Sequence, residues 1–242
     1  MAVGNSPDTT LTSIHFLDDD SLLNIFYLYR PAMFDGDDDD GTRLVGGKPW
    51  DRERWWYTLA HVCQRWWNLI LGSASYLGIC LVCTVGTPVA NMLAHSPPLP
   101  LIIDYTSGND ITAEDEEALF LALEQRDRVR RIRLAMLVPS LQKVVMAIDE
   151  EYPILEYLII LPLGNSSTAL VLPETLRAPH LRHLMLSSFA LPIGSLLLTT
   201  AVGLVTLCLV IIGHPSIYFQ PHTLLQWLSA MPQLETLAIF IS

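Results

Sequence analysis

Residues 155–160 read LEYLII, 181–186 LRHLML, 204–209 LVTLCL and 234–239 LETLAI, and a looser copy, VRRIRL, stands at 129–134. All five share one pattern, apolar-x-x-apolar-x-apolar: Val129-Ile132-Leu134, Leu155-Leu158-Ile160, Leu181-Leu184-Leu186, Leu204-Leu207-Leu209 and Leu234-Leu237-Ile239. The middle positions are separated by 26, 26, 23 and 30 residues. Four copies follow a turn former, namely Pro153, Pro179, Gly203 or Pro232. Short apolar alternation bounded by such breakers reads as a short strand. Helix-like or irregular stretches, such as Ser140 to Glu150 and His222 to Ala230, lie between the copies.

Short strands and connections at a near-constant period predict stacked repeats, each strand burying its leucines against the next unit. The pattern resembles the leucine-rich repeat in a degenerate form, without the regular Asn after the last leucine. The alternate positions then form a ladder on the opposite face: Arg131 and Arg133, Tyr157 and Ile159, His183 and Met185, Thr206 and Cys208, Thr236 and Ala238. Several are apolar, which fits a surface for a protein substrate. The other reading of the same residues is a general α/β domain with leucine-rich strands. No polar terminal cap follows the last copy, so the repeat region is expected to be truncated.

Upstream, 77–83 (LGICLVC) and 101–105 (LIIDY) read as strands. A short helix is expected from Thr87 to His95, with Pro88 at its first position. A longer one is expected from Thr112 to about Arg126, with acidic residues in its first turn. Nearer the N-terminus, Leu22, Leu23, Ile25, Phe26 and Tyr29 have helical spacing behind Asp18, Asp19, Asp20 and Ser21, and Pro31 ends the run. Residues 50–71 (WDRERWWYTLAHVCQRWWNLIL) form a second helical stretch, with Gly72 at its end. Trp55, Trp56, Trp66 and Trp67 cannot all fit a small core. Residues 1–10 read as a disordered tail, and 32–49 as a solvated insert rich in Asp and Gly.

The chain has 242 residues and a net charge of −11, with 51% hydrophobic and 16% charged residues. Nucleic acid is disfavoured, because a phosphate backbone needs clustered cations. The run Arg126 to Arg133 alternates with apolar residues and reads as the exposed side of a strand. Cys63, Cys80, Cys83 and Cys208 read as buried thiols, since the lone CxxC at 80–83 has no second pair for zinc. The Asp run 37–40 lacks the spaced ligands and closing Glu of a calcium loop. No metal, cofactor or catalytic set is expected. Residues 196–212 (LLLTTAVGLVTLCLVII) carry no charge and leave a membrane span open as an alternative. Without a signal peptide at the N-terminus, a cytoplasmic or nuclear setting is expected.

Residues 14–71 resemble the F-box family in the fungal form with an acidic insert. The residues that carry the likeness are Ile14 to Phe26 (IHFLDDDSLLNIF) and Trp56 to Ile70 (WYTLAHVCQRWWNLI), above all Val62-Cys63-Gln64-Arg65-Trp66. The family opens with Leu-Pro; here Asp18 stands in place of the Pro. The resemblance implies a helical module over 11–79 that docks a Skp1-like adaptor protein, and a leucine-rich-repeat-like region over 80–242 that holds a protein substrate. It implies a Skp1-cullin ubiquitin-ligase adaptor, not an enzyme; a repeat scaffold without a ligase link is the alternative. Carried over residue by residue, Phe16, Leu17, Leu22, Ile25, Phe26, Val62, Cys63, Trp66 and Ile70 supply core and docking face. Leu22, Ile25, Val62 and Cys63 are expected in the core, and Phe16, Leu17 and Trp66 on the docking face. The expected fold is mixed, α+β to α/β: the helical module, then a partial, degenerate repeat solenoid.

Overall fold

A computed structural model describes residues 16–31, 53–164, 170–190, 195–211 and 221–241. The fold is mixed α/β, and the chain divides into two compact units, one ending at Ile79 and one beginning at Cys80.

The first unit is helical. Helix α1 spans Asp19–Tyr29, α2 Trp55–Ala60, α3 Gln64–Gly72 and α4 Ala74–Leu77. The Asp18 carboxylate accepts the Ser21 amide at 2.7 Å and caps α1. That bond holds the Asp18 carboxyl below its usual range. The run 50–71 is two helices rather than one, because the chain turns through His61 and Val62 and restarts with Cys63 as an extended N-cap. Leu77 belongs to α4 and not to a strand; Gly78 takes the left-handed conformation (φ 63°) that terminates the helix. Leu22, Phe26, Trp55, Trp56, Ile70 and Leu77 are buried. Trp66 is half-buried and Trp67 is exposed. The expected tail at 1–10 and the insert at 32–49 lie outside the described residues.

The second unit is built on a seven-stranded sheet. Its elements are β1 (Leu81–Thr84), α5 (Val89–His95), β2 (Leu101–Thr106), α6 (Ala113–Leu123), β3 (Val129–Leu137), α7 (Val138–Ala147) and β4 (Tyr157–Leu163). There follow β5 (Leu170–Val171), β6 (His183–Ser187), β7 (Phe189–Ala190), α8 (Leu196–Thr200), β8 (Thr206–Ile211), α9 (Pro221–Ser229) and β9 (Thr236–Ile241). The sheet order is β1-β2-β3-β4-β6-β8-β9, every pairing is parallel, and β5 and β7 form a separate pair. The order never reverses. A doubly wound fold, by contrast, reverses its strand order within the sheet. Helix α6 packs on β2, α7 on β3 and β4, and α6 on α7.

The repeat pattern coincides with the strand register. Ile132, Leu158, Leu184, Leu207 and Leu237 are successive partners across β3, β4, β6, β8 and β9. The first four are buried, as are Leu119 and Leu123 on α6 and Leu141 and Val144 on α7. Each is worth roughly 1.5–3 kcal/mol of apolar burial. The residue that opens each copy also repeats one turn. Val129, Leu155, Leu181, Leu204 and Leu234 each donate their amide to a carbonyl three residues back, on Arg126, Tyr152, Ala178, Ala201 and Met231. The next amide reaches across instead. Glu156 donates to Arg130, Arg182 to Glu156, Val205 to Arg182 and Glu235 to Val205.

Strands β1 and β2 continue the same registers with a shorter motif. Leu101 pairs with Val129 but Ile102 pairs with Arg131, so Arg130 is an extra residue with no counterpart on β2. Within the charge-free stretch, residues 196–211 are divided between α8, a turn and β8, and do not form one helix. No helix among the described residues is long and apolar enough to cross a membrane. Cys80 and Cys83 are buried, but Cys63 and Cys208 are only half-buried, Cys63 as a helix cap and Cys208 on the sheet face away from the core. The basic run is also split. Arg126 and Arg128 lie in a short 3-10 turn and Arg130 at the register shift, leaving Arg131 and Arg133 on the strand face.

Candidate functional site

Each unit carries its own candidate surface. In the helical unit, Leu22 and Phe26 are one helical turn apart and point inward, where the Phe26 ring meets Trp66 edge-on at 4.8 Å. Such a contact adds about 0.5–1.5 kcal/mol beyond burial. Ile25 lies one residue off that stripe and is therefore exposed, with Leu28 and Tyr29. Val62 is exposed because it sits in the turn between α2 and α3. Arg65, near the start of α3, donates to the Leu17 carbonyl at 2.6 Å and pairs with Asp19 at 2.7 Å. That fork ties the segment leading into α1 to the start of α3, leaving the Phe16 and Leu17 side chains exposed.

The nine expected docking residues thus separate. Leu22, Phe26 and Ile70 are core. Phe16, Leu17, Ile25 and Val62 are exposed; for Ile25 and Val62 this corrects the expectation of core. Cys63, also expected in the core, is half-buried, and so is Trp66, which leans on Phe26 rather than standing free.

In the sheet unit, the ten expected ladder residues form two continuous columns. The first runs Arg131, Tyr157, His183, Thr206, Thr236. The second runs Arg133, Ile159, Met185, Cys208, Ala238. They lie on the face opposite the leucines because side chains alternate along a strand. The first column begins as a stack. The Arg131 guanidinium lies 4.7 Å from the Tyr157 ring centre, and Tyr157 stacks on His183 at 4.3 Å with an 11° interplanar angle. A cation over a ring contributes about 0.5–1 kcal/mol at an exposed site. Beside it, Arg130 pairs with Glu156 at 2.9 Å, one residue ahead of the column.

Next to Arg133, at the start of the second column, stands an acid that no sequence motif marks. Asp104 on β2 is the register partner of Arg133 and pairs with it at 3.7 Å. The Thr106 hydroxyl donates to the same carboxylate at 3.3 Å. Asp104 is only 5% exposed. Burial pushes its carboxyl up to about 6, against the opposing pull of Arg133 and Thr106. The signal was present as one acid inside the apolar strand LIIDY, where a charge is costly unless paired. From there the column turns apolar through Ile159 and Met185. The face therefore offers a cationic and aromatic end beside a longer apolar strip.

No group of three or more His, Cys, Asp or Glu among the described residues could hold a metal ion. No family model, no curated protein and no solved structure matches the chain.

Proposed function

We propose that the protein is an adaptor of a Skp1-cullin ubiquitin ligase, docking a Skp1-like protein through its helical unit and a protein substrate through its sheet face. The observation that carries the reading is the division of the F-box-like motif. Leu22, Phe26 and Ile70 hold the helices together while Phe16, Leu17, Ile25 and Val62 stay exposed on the same small unit. Exposed large apolar residues at that density favour a partner surface over a self-contained bundle. Arg65, from the most specific part of the motif, holds the Phe16-Leu17 end against α3.

The sheet unit supports the second half of the reading. A degenerate leucine-rich-repeat solenoid accounts for the common register of the five leucine positions, the recurrent three-residue turn and the sequential parallel order. Its ladder face, with the Arg131-Tyr157-His183 stack and the Ile159-Met185 strip, is the substrate surface. A cytoplasmic or nuclear setting belongs to the same reading.

The test is co-expression of the full chain with a Skp1 protein, capture of either partner, and repetition with Ile25→Asp and Val62→Asp. Both positions are exposed, so the variants keep the circular dichroism of the parent. The expected result is a complex lost in both variants. A folded parent chain that captures no Skp1 refutes the adaptor reading and leaves a repeat scaffold without a ligase link.

A further inference from the structure

The two columns of the ladder face differ in chemistry. The first opens with the Arg131-Tyr157-His183 stack, and the second continues as Ile159 and Met185. All five side chains are half-buried, so each still meets solvent. The stack holds the Arg131 guanidinium by its flat side, 4.7 Å from the Tyr157 ring centre. The N–H donors of a guanidinium lie in its plane, so stacking fixes the plane in which they donate and reduces the entropy lost when a carboxylate binds. Among the described residues of β2, β3, β4, β6 and β8, the formal charges on this side are Arg131 and Arg133 against Asp104, two positive less one negative, with His183 counted neutral. The face is thus cationic by one charge in a chain whose net charge is −11.

We propose that the substrate segment held by this face is an extended peptide with an acidic residue two positions from a large apolar one, its carboxylate on Arg131 and its apolar side chain on the Ile159-Met185 strip. The inference rests on the reading of this face as the substrate surface and adds what the substrate must present. The spacing follows from strand geometry. Arg131 and Tyr157 are register partners, as are Arg133 and Ile159, so the two columns stand two residues apart along each strand. That separation is roughly 6.6 Å. Side chains two apart in an extended peptide project to one side at the same spacing. A peptide lying along β4 therefore sets one side chain over the stack and the next but one over the strip. A single carboxylate matches the charge of the face. A phosphate, at about −1.5 to −2 near neutral pH, exceeds it. The flanking arginines add little to the balance, since Arg133 has Asp104 at 3.7 Å and Arg130 has Glu156 at 2.9 Å. A wholly apolar segment covers the charge of Arg131 with nothing to offset its lost hydration.

The experiment selects phage-displayed random peptides, roughly ten residues long so as to span the face at about 3.3 Å per residue, on the immobilised full chain. Enriched sequences are then synthesised with a fluorophore and titrated by anisotropy. They are expected to carry Asp or Glu two positions from Leu, Ile, Met or Phe. Changing that acid to its amide in the peptide is expected to weaken binding about tenfold, as the loss of a charge-assisted hydrogen bond does. Arg131→Gln is expected to weaken the acidic peptide about tenfold and to leave its amide version within about twofold, a coupling that a merely loosened chain does not produce. Val171→Ser, at an exposed site on β5, is expected to bind as the parent does. The change on the peptide side needs no altered protein, so the test survives an Arg131→Gln chain that fails to fold. A parent chain that enriches no peptide, enriched peptides without an acid, an acid-to-amide change that costs nothing, or tighter binding with phosphoserine in place of the acid overturns the proposal. Skp1 capture by the same parent chain separates the two readings. Capture without selection of acidic peptides overturns this inference alone, and selection of acidic peptides without capture overturns the adaptor reading alone.

Discussion

Replacing Asp104 by Asn removes a buried charge whose cost depends on pH in a calculable way. The carboxyl sits on β2 at 5% exposure, with Arg133 at 3.7 Å and the Thr106 hydroxyl at 3.3 Å. Burial outweighs both partners and lifts its pKa from 3.8 to about 6. A folded pKa above the unfolded one means that the native state holds the proton more tightly. The group's stabilising contribution is therefore complete below pH 3.8 and is lost as the pH rises through about 6. A rise from 3.8 to about 6 corresponds to about 3 kcal/mol. Solvent screening takes little from that figure, since the carboxylate side chain is 7% exposed. Asparagine keeps the shape and abolishes the titration. Urea unfolding free energies, followed by circular dichroism, are measured for both chains between about pH 4 and pH 7. Subtracting one curve from the other cancels distant acids common to both. The parent is expected to lose about 2 kcal/mol relative to Asp104→Asn across that interval, the rest of the loss falling below about pH 4. The absolute offset also contains whatever Arg133 loses with its carboxylate, so the slope of the difference is the quantity tested. A difference that stays flat refutes the argument that burial dominates at Asp104.

Equivalent leucines of the repeat should not cost the same. Leu158→Ala or Leu184→Ala, at fully buried positions, is expected to lose about 2–5 kcal/mol, whereas Leu237→Ala in dilute solution loses less than half as much because that side chain is 43% exposed; equal melting-temperature shifts would contradict this. In the helical unit, Phe26→Ala removes the ring against Trp66 and is expected to cost about 3–5 kcal/mol, read by tryptophan fluorescence, while Ile25→Ala stays within about 0.5 kcal/mol. Half-buried Cys63 and Cys208 should react with a thiol reagent in the native chain, and buried Cys80 and Cys83 only on unfolding. Four equal labelling rates would rule out that difference in access.

The legibility of the fold followed where the physics is local. The cap at Asp18 and the cap at Thr112, with its 3.1 Å bond from the Asp115 amide, were visible because they depend on residues three apart. The repeat was visible from Val129 onward because a fixed spacing of leucines reflects a fixed strand register. Strands β1 and β2 belong to the same sheet but escaped the repeat, since they lack the extra residue that Arg130 supplies. The break in 50–71 was hidden because Leu59, Val62, Trp66 and Ile70 have helical spacing on either side of the turn. In the ladder, all ten expected residues fall into the two columns, yet Asp104 was missed, since its meaning lies in a partner on a neighbouring strand.

By itself the sequence determined periodicity. The spacing of Leu158, Leu184, Leu207 and Leu237 set which residues face the core and which form the ladder, because alternation along a strand admits only two faces. It also determined the helix caps, through side chains that reach their own backbone. Only the tertiary structure decided which apolar residues are truly inside. Leu22 and Ile25, Leu207 and Leu237 are alike as side chains, and differ because burial depends on what packs on the next element, which spacing along one chain does not record. It alone also placed Asp104 beside Arg133, an ion pair between residues 29 apart in the chain, and so lifted that carboxyl to about 6.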